Sequence, residues 1–300
     1  MPELLVIAGA TATGKSEIAI AVAQEIGAEI VNADSMQVYK GMDIGTAKLS
    51  LAERQGVPHH LLDLVDVATD VTVAWYQEIA RAKIDELMAA GKSVVVVGGT
   101  GFYIKAILDD LNFPETDPLV RQKLSDEAER IGAAAMHARL ATLDPAAALA
   151  IPAENVRRVV RALEVIEITG KPFTANLPRE ASTRYPKAKQ FGLQMERETL
   201  DSRIDARVER MWSQGFVDEV EVLINHGLLE GKTAKAAIGY SQIIAMKHGE
   251  ISEAAAKADT ALATRQYARR QETWFTRDDR INWIAPADTH VRLSNIMAAL

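Results

Sequence analysis

Short apolar runs alternate with amphipathic stretches along the first hundred residues. Runs at Leu4 to Ala8, Glu29 to Asn32 and Ser93 to Val97 predict strands, while apolar residues at helical spacing predict helices over Lys15 to Ile26 and Val73 to Ala90. Continuous apolar strands that alternate with helices are typical of a parallel sheet covered on both faces. Ligands of such sheets bind at the carboxyl ends of the strands, so the segments that follow these strands are candidate sites.

The pattern changes near Phe113, where a run of amphipathic helical sequence begins. It breaks at Asp144-Pro145 and is followed by a further helix near Asn155 to Thr169. We interpret this stretch as a helical insertion domain at 115–189, carried by a core of residues 1–114 and 190–300.

The rest of the chain completes the core. Gln190 to Leu193 predicts a return strand and Ile281 to Ile284 a last strand. Helices are predicted over Leu200 to Asn225, Ala234 to Lys247 and Glu253 to Phe275. The predicted fold class is therefore an α/β parallel sheet with flanking helices and a helical insertion.

A phosphate-binding loop of the form G-x-x-x-x-G-K-[ST] lies between the first strand and the first helix. Its residues are Gly9, Ala10, Thr11, Ala12, Thr13, Gly14, Lys15 and Ser16. In such a loop the backbone N–H groups and the helix N-terminus face an anion, the lysine adds a mobile cation, and the serine hydroxyl suits Mg²⁺. The loop predicts a P-loop NTPase-like fold that binds a diphosphate or triphosphate.

Acidic residues are distributed unusually for such a fold. The strand Ser93 to Val97 runs into Gly98-Gly99-Thr100-Gly101, without the acid that phosphate-loop ATPases place there. This favours a small-molecule transferase over a motor or switch ATPase.

Asp34, after the second strand, is a candidate general base, with a helix cap or turn as the alternative. The Thr100 hydroxyl is a candidate partner for the reacting group or the leaving diphosphate, with a plain turn as the alternative.

Composition limits the possible chemistry and the compartment. The chain has 300 residues, 48% of them hydrophobic, which suggests two domains or one domain with a large insertion. It has no cysteine, so disulfides, thiolate metal sites and cysteine nucleophiles are excluded, and Mg²⁺ held with the phosphates is the expected metal. No stretch approaches the roughly 18 apolar residues of a membrane span, and no basic leader opens the sequence. We expect a cytoplasmic protein that does not contact the membrane.

Basic residues cluster in two places although the net charge is −7. Ile151 to Gln194 carries an excess of them, and Arg265 to Arg277 interleaves arginines with Tyr267, Trp274 and Phe275. Each cluster is typical of a nucleic-acid contact, but an ordinary solvated helix face is an equally open reading.

Several blocks together resemble the tRNA dimethylallyltransferase family, also called tRNA isopentenyltransferase. After the phosphate loop, residues 34–48 read Asp-Ser-Met-Gln-Val-Tyr-Lys-Gly-Met-Asp-Ile-Gly-Thr-Ala-Lys, and Gly98 to Gly101 follow. Later blocks that resemble the family are Arg157 to Glu164, Ala237 to Tyr240 and Thr264 to Gln271. The likeness covers nearly the whole chain and is to the bacterial form, since no Cys/His pairs of a zinc-finger extension are present.

The resemblance implies transfer of a dimethylallyl group from dimethylallyl diphosphate to N6 of adenosine 37 in tRNAs that read codons beginning with U, with release of diphosphate. It implies that Asp34 is the general base, that Thr100 lies near the reacting centre and that Arg207 reaches the diphosphate from the far side. The phosphate loop would then hold the leaving group, with Mg²⁺ near Ser16.

The resemblance also implies that the tRNA anticodon stem-loop is gripped by the basic clusters and that its target base is extruded into a pocket. The residues expected to contact tRNA are Ser35, Met36, Gln37, Arg121, Arg157, Arg158, Arg161, Gly239, Tyr240, Arg265, Arg269 and Arg270. We expect a monomer. The alternatives are a phosphate-loop kinase for a nucleoside or other small metabolite, a prenyltransferase for free adenine nucleotides, and a non-catalytic RNA-binding module.

Overall fold

The computed structural model describes residues 3–176 and 182–300, and within them the strands form one six-stranded sheet. The strands are β1 (Leu4–Gly9), β2 (Glu29–Asn32), β3 (His59–His60), β4 (Val94–Gly98), β5 (Lys189–Leu193) and β6 (Ile281–Ile284). Their order is β3-β2-β4-β1-β5-β6, and every pairing is parallel. The parallel α/β fold predicted from the sequence is confirmed. Because all strands run the same way, their carboxyl ends meet at one edge of the sheet.

Helices follow most strands. They are α1 (Lys15–Ile26), α2 (Val73–Ala89), α3 (Gly101–Leu108), α4 (Pro118–Ile131), α5 (Ala133–Leu143), α6 (Pro145–Ala150), α7 (Val156–Thr169), α8 (Arg197–Ser213), α9 (Phe216–Asn225), α10 (Tyr240–Lys247), α11 (Glu253–Phe275) and α12 (Thr289–Ala298). Short 3₁₀ turns lie at Phe173–Asn176 and Ala234–Ala236. Among the described residues, no helix is both long and apolar enough to cross a membrane.

Both faces of the sheet are buried, which explains the continuous apolar strands. Leu5 and Ile7 of β1 pack on one face with α1 and with Ile296 of α12. Val6, the residue between them, points to the other face and belongs to the cluster that contains Tyr76 of α2. Side chains alternate between faces along a strand, so a strand covered on both sides needs apolar residues at every position.

The chain divides into two compact units, Met1–Leu108 with Tyr185–Leu300, and Asp109–Arg184. The second unit is all helical and has its own core, built from α4, α5, α6 and α7 around residues such as Leu140 and Leu163. Its boundaries lie a few residues before the predicted limits of 115 and 189. Of the basic cluster between 151 and 194, Arg179 and Glu180 lie outside the described residues.

Two predicted helices are each broken in the structure. The predicted helix Leu200 to Asn225 is two helices, because the chain turns at Gly215 with φ at +93° before α9 begins. The predicted helix Ala234 to Lys247 is a 3₁₀ turn followed by α10. In both cases the apolar pattern continues across the break, so periodicity alone does not reveal it. The pattern also gave no indication of α3 and α12.

The edge strand β3 is formed by two histidines. Its pairing with β2 joins His59 to Ile30 and His60 to Val31. Leu61 leaves the sheet with φ at +64°. Each histidine ring has a partner, His59 at the carbonyl of Val57 and His60 at the carboxylate of Glu29, at 2.8 and 2.7 Å.

Candidate active site at the carboxyl ends of the strands

The phosphate loop forms the turn between β1 and α1, as the sequence predicts. The Thr13 hydroxyl donates to the carbonyl of Ala10 at 2.8 Å, and Lys15 Nζ donates to the same carbonyl at 2.6 Å. Gly14 takes a left-handed conformation, with φ at +90°, directly before the helix. The lysine ammonium is therefore held over the loop, at the N-terminus of α1, where a phosphate group would bind.

Two C-terminal helices support this loop from outside. Gln271 of α11, which is 6% exposed, accepts from the backbone N–H of Thr11 at 2.8 Å and donates to the carbonyl of Gly99 at 2.7 Å. Arg292 of α12 is also buried and donates to the carbonyl of Thr13 at 2.9 Å. Sequence reasoning missed both as site residues. Gln271 is the last residue of the block Thr264 to Gln271 that resembles the family, so the sequence offered a signal for it. No sequence pattern distinguishes Arg292 from other helix arginines.

A second cation approaches the loop from α8. Arg207 Nη1 donates to the Thr11 hydroxyl at 3.1 Å, and Nη2 donates to the carbonyl of Thr46 at 3.3 Å. Burial lowers the pKa of Lys15 from 10.5 to about 8; the charge of Asp34 opposes this shift and that of Arg207 adds to it. Burial likewise lowers the pKa of Arg207. Two desolvated cations at one loop favour an anionic ligand.

The loop opens into a cavity of about 780 Å³. Its cationic lining residues are Lys15, Lys48, Arg203, Arg207 and Arg210, and its acidic ones are Glu17, Asp43 and Glu53. Ser16 also lines it. The arginines recur along one face of α8 at helical spacing, so a single helix turns several cations towards the phosphate loop. The excess of positive charge suits a diphosphate.

Asp34 follows β2 directly and is fixed by its neighbour. The Asn32 side chain accepts from the backbone N–H of Asp34 and donates to its carbonyl, both at 3.2 Å. Asp34 Oδ1 accepts from the backbone N–H of Met36 at 2.8 Å, while Oδ2 receives no hydrogen bond from the described residues. Tyr76 in turn donates to the carbonyl of Asn32 at 2.7 Å. Asp34 therefore presents one carboxylate oxygen that can accept a proton.

Thr100 is brought beside this carboxylate by the adjacent strand β4. Its hydroxyl accepts from the backbone N–H of Ser35 at 3.2 Å and donates to the Ser35 hydroxyl at 3.3 Å. Burial and the charge of Asp34 raise the pKa of Tyr267 to about 12, although hydrogen bonds with Thr100 and Gln271 act in the opposite direction. Tyr267 is thus a neutral phenol at the site, and sequence reasoning did not assign it a role.

The missing acid after β4 has a steric explanation. A Cβ placed on Gly98 would lie 2.2 Å from the carbonyl oxygen of Ala33. Contacts this short are not tolerated, so only glycine fits at the last residue of β4. The only strand end in this part of the site that carries a carboxylate is that of β2, at Asp34, as far as the described residues show.

The residues expected to bind tRNA divide into two groups in the helical unit. Arg157 and Arg158 on α7 are exposed and form no ion pair with the described residues. Arg121 and Arg161 instead bind the fully buried carboxylate of Glu164, at 2.6 and 2.8 Å. Although burial opposes its charge, hydrogen bonds and charges from these two arginines hold the pKa of Glu164 below its ordinary value. Arg121 and Arg161 thus stabilise this unit.

The second basic cluster lies on α11. Arg269 and Arg270 are exposed, and the guanidinium of Arg270 lies 5.7 Å from the ring centroid of Tyr267. Arg265 forms an ion pair with Asp205 of α8. Its charge is therefore partly neutralised, whereas the charges of the other two face solvent.

Gly239 and Tyr240, two further residues expected to contact tRNA, lie in the interior. Both are buried, and Tyr240 is 0% exposed, with its hydroxyl donating to Glu219 at 2.6 Å. In this conformation the Tyr240 side chain has no surface open to RNA and packs in the core. Ser35, Met36 and Gln37 are partly exposed beside Asp34, and Gln37 Nε2 donates to the carbonyl of Thr46 at 3.1 Å.

Few metal ligands are available. In the part of the chain that the structure describes, no three His, Asp or Glu side chains come together as a metal site. The Ser16 hydroxyl lines the cavity at the phosphate loop. Mg²⁺ commonly keeps several waters and binds through substrate phosphates and one or two protein oxygens, so the donors present fit a metal brought in with a diphosphate.

Known proteins are similar to this chain over most of its length. A family model described as IPP transferase matches residues 37–278. A curated tRNA dimethylallyltransferase of Streptomyces griseus is 53% identical over 283 residues, which are 94% of this chain and 90% of that protein. The solved structure of the tRNA isopentenylpyrophosphate transferase of Bacillus halodurans superposes with a TM-score of 0.73 at 35% identity, covering 100% of this chain and 95% of the other. A eukaryotic dimethylallyltransferase, described as acting on tRNA, superposes with a TM-score of 0.84 at 26% identity and covers 100% and 77%.

Proposed function

Since the chain belongs to the IPP transferase family, we propose that it is a tRNA dimethylallyltransferase. It transfers a dimethylallyl group from dimethylallyl diphosphate to N6 of adenosine 37 in tRNAs that read codons beginning with U. The observation that carries the proposal is that Asp34 lies near the phosphate loop, close enough for its charge to raise the pKa of both Lys15 and Arg207 against the effect of burial. Family membership confirms the resemblance seen in the sequence.

The reaction gives the phosphate loop and Asp34 separate tasks. N6 of adenine attacks the first carbon of the dimethylallyl group, the bond from that carbon to oxygen breaks, and diphosphate leaves with the bonding electrons. Lys15, Arg207 and the loop N–H groups stabilise the negative charge that develops on the leaving group. Asp34 Oδ2 accepts the proton that N6 loses. Thr100, hydrogen-bonded to Ser35, lies beside the reacting centre.

We propose that Mg²⁺ binds together with the diphosphate. Ser16 would hold it together with phosphate oxygens, and when bound it supplies further positive charge against the leaving group. No carboxylate cluster is required for this arrangement.

We propose that the exposed arginines bind the anticodon stem-loop. Arg157 and Arg158 on α7, and Arg269 and Arg270 on α11, face solvent and can contact phosphates without losing an ion partner among the described residues. Residues 35–37, which are partly exposed beside Asp34, are the proposed contacts of the extruded adenine. We propose that the enzyme acts as a monomer in the cytoplasm, where its tRNA substrates are found.

The test is direct transfer of label. The pure protein is incubated with Mg²⁺, unmodified tRNA and radiolabelled dimethylallyl diphosphate, and label is measured in precipitated RNA, with ATP consumption followed in parallel. We expect labelled RNA and no ATP consumption, and Lys15→Ala should strongly reduce the amount of label in RNA. ATP consumption without labelled RNA would instead support a kinase.

A further inference from the structure

One carboxylate on α9 binds three consecutive backbone amides of a loop that reaches the cavity. Glu219 Oε2 accepts from the N–H groups of Asp43 at 3.1 Å and Ile44 at 2.6 Å, and Oε1 accepts from that of Gly45 at 3.2 Å. Oε1 also accepts from the Tyr240 hydroxyl at 2.6 Å. Hydrogen bonds to a charged acceptor are stronger than neutral ones, so the three amide bonds fix the backbone of the loop, and the fourth orients the Glu219 carboxylate.

Residues 43–48, here called the wall loop, form one side of the cavity at the phosphate loop. Its lining members are Asp43, Ile44, Ala47 and Lys48. The carbonyl of Thr46 accepts from Arg207 Nη2 at 3.3 Å. The position of the wall loop therefore determines both the width of the cavity and the orientation of the Arg207 guanidinium.

The wall loop also packs closely against the helices behind it. A Cβ on Gly45 would lie 2.3 Å from the ring of Phe216 and 2.5 Å from the ring of Tyr240. The two rings meet edge to face, with centroids 5.0 Å apart. The backbone at Gly45 thus lies directly on the aromatic pair, and Glu219 holds it there.

We propose that Glu219 is a positioning residue for the dimethylallyl diphosphate site. It acts through the wall loop, which presents the carbonyl of Thr46 to Arg207 and so aims this cation at the diphosphate. The inference rests on the proposed function. Glu219 serves the cavity side of the site, and tRNA reaches the wall loop only through Gln37, which donates to the carbonyl of Thr46, so loss of Glu219 should affect the diphosphate substrate far more than tRNA.

The decisive variant is Glu219→Gln, with Glu221→Gln as the matched control. The amide retains one oxygen for the Asp43 and Ile44 N–H groups but turns an NH₂ towards the N–H of Gly45, so that hydrogen bond is lost. Glu221 lies on the same helix, is exposed and pairs with Lys247 away from the cavity. Measurements are KM for dimethylallyl diphosphate, KM for tRNA, Ki of inorganic diphosphate, and the melting temperature.

We expect Glu219→Gln to raise KM for dimethylallyl diphosphate and Ki of inorganic diphosphate by about tenfold, since it removes the charged acceptor that holds the loop. KM for tRNA should change less than about twofold, and Glu221→Gln should match the wild type. Equal rises in both KM values, or an unchanged KM for dimethylallyl diphosphate, would overturn the inference.

A second variant covers the case in which Glu219→Gln does not fold. Tyr240→Phe removes one hydrogen bond from Glu219 and keeps the ring, so a smaller rise in the same KM is expected, with faster hydrogen exchange in a peptide spanning the wall loop. No change in either quantity would contradict the inference. If the wild-type protein transfers no label, the proposed function fails, and calorimetric titration of inorganic diphosphate with Mg²⁺ then decides on Glu219 by itself.

Discussion

Replacing Gln271 should destabilise the protein and the phosphate loop together. Its amide is buried and joins two backbone groups that have no other partner among the described residues, the N–H of Thr11 at 2.8 Å and the carbonyl of Gly99 at 2.7 Å. A buried polar group left without its partner costs about 1 to 3 kcal/mol. With two such groups orphaned, Gln271→Ala should lower the free energy of unfolding by about 3 kcal/mol and raise KM for dimethylallyl diphosphate.

Gln271→Glu tests the hydrogen-bond argument at almost constant side-chain size. One carboxylate oxygen can still accept from the N–H of Thr11, but the other faces the carbonyl of Gly99 with no hydrogen between them. Burial and this repulsion raise the pKa of the new carboxyl in the folded state above its unfolded value of about 4.3. The folded protein then binds more protons than the unfolded one, so the stability deficit relative to the wild type should shrink as pH falls through the raised pKa.

The assay is urea unfolding of the wild type and both variants at about pH 8 and about pH 5.5, conditions in which a carboxyl with a raised pKa changes its protonation. Gln266→Ala is the matched control because Gln266 lies on the same helix and is exposed. The reasoning is refuted if Gln271→Ala stays within about 0.5 kcal/mol of this control, the range of ordinary surface substitutions. An equal deficit of Gln271→Glu at both pH values would refute the bridging role of the amide.

Three further predictions concern catalysis and RNA binding. Asp34→Asn should slow the chemical step by about 10²- to 10⁴-fold with unchanged tRNA affinity in filter binding, and normal turnover would remove Asp34 from the mechanism. Because the pKa of Lys15 is lowered to about 8, the free enzyme loses this cation as pH rises, and kcat/KM for dimethylallyl diphosphate should fall above that pH. Lys15→Arg keeps its charge and should lose that decline, whereas a flat wild-type profile up to about pH 9.5 would contradict the assignment. Replacing Arg157 and Arg158 together by Gln should weaken tRNA binding and reduce the slope of log affinity against log salt concentration by about 1 to 2. Arg161→Gln should instead lower the melting temperature, because the buried carboxylate of Glu164 loses one of its two cationic partners.

Local sequence was sufficient for most of the fold. Strands buried on both faces need apolar residues at every position, so their runs are visible without any knowledge of their neighbours. The cap residue Asn155 likewise begins a helix where the sequence indicates, because a cap bonds to amides only two or three residues away. Helix breaks such as the one at Gly215 were not predicted, because the apolar face continues on both sides of the turn.

The phosphate loop and Asp34 could be recognised from sequence for the same reason. The loop is one continuous segment whose chemistry depends on its own backbone, and Asp34 directly follows a strand end, where parallel sheets bind ligands. The resemblance to known transferases supplied Arg207 as the partner cation, which composition and spacing alone did not distinguish from a solvated helix arginine.

Sequence by itself therefore determined the sheet, the phosphate loop and the residue that follows each strand, because these depend on contacts within a few positions of the chain. Only the tertiary structure showed that Gln271 joins the loop to Gly99, that Glu219 holds the wall loop, and that Tyr240 is buried. Each of these contacts joins segments far apart in sequence. Whether a side chain meets solvent, substrate or a distant backbone amide is decided by the packing of those segments, and no local pattern encodes it.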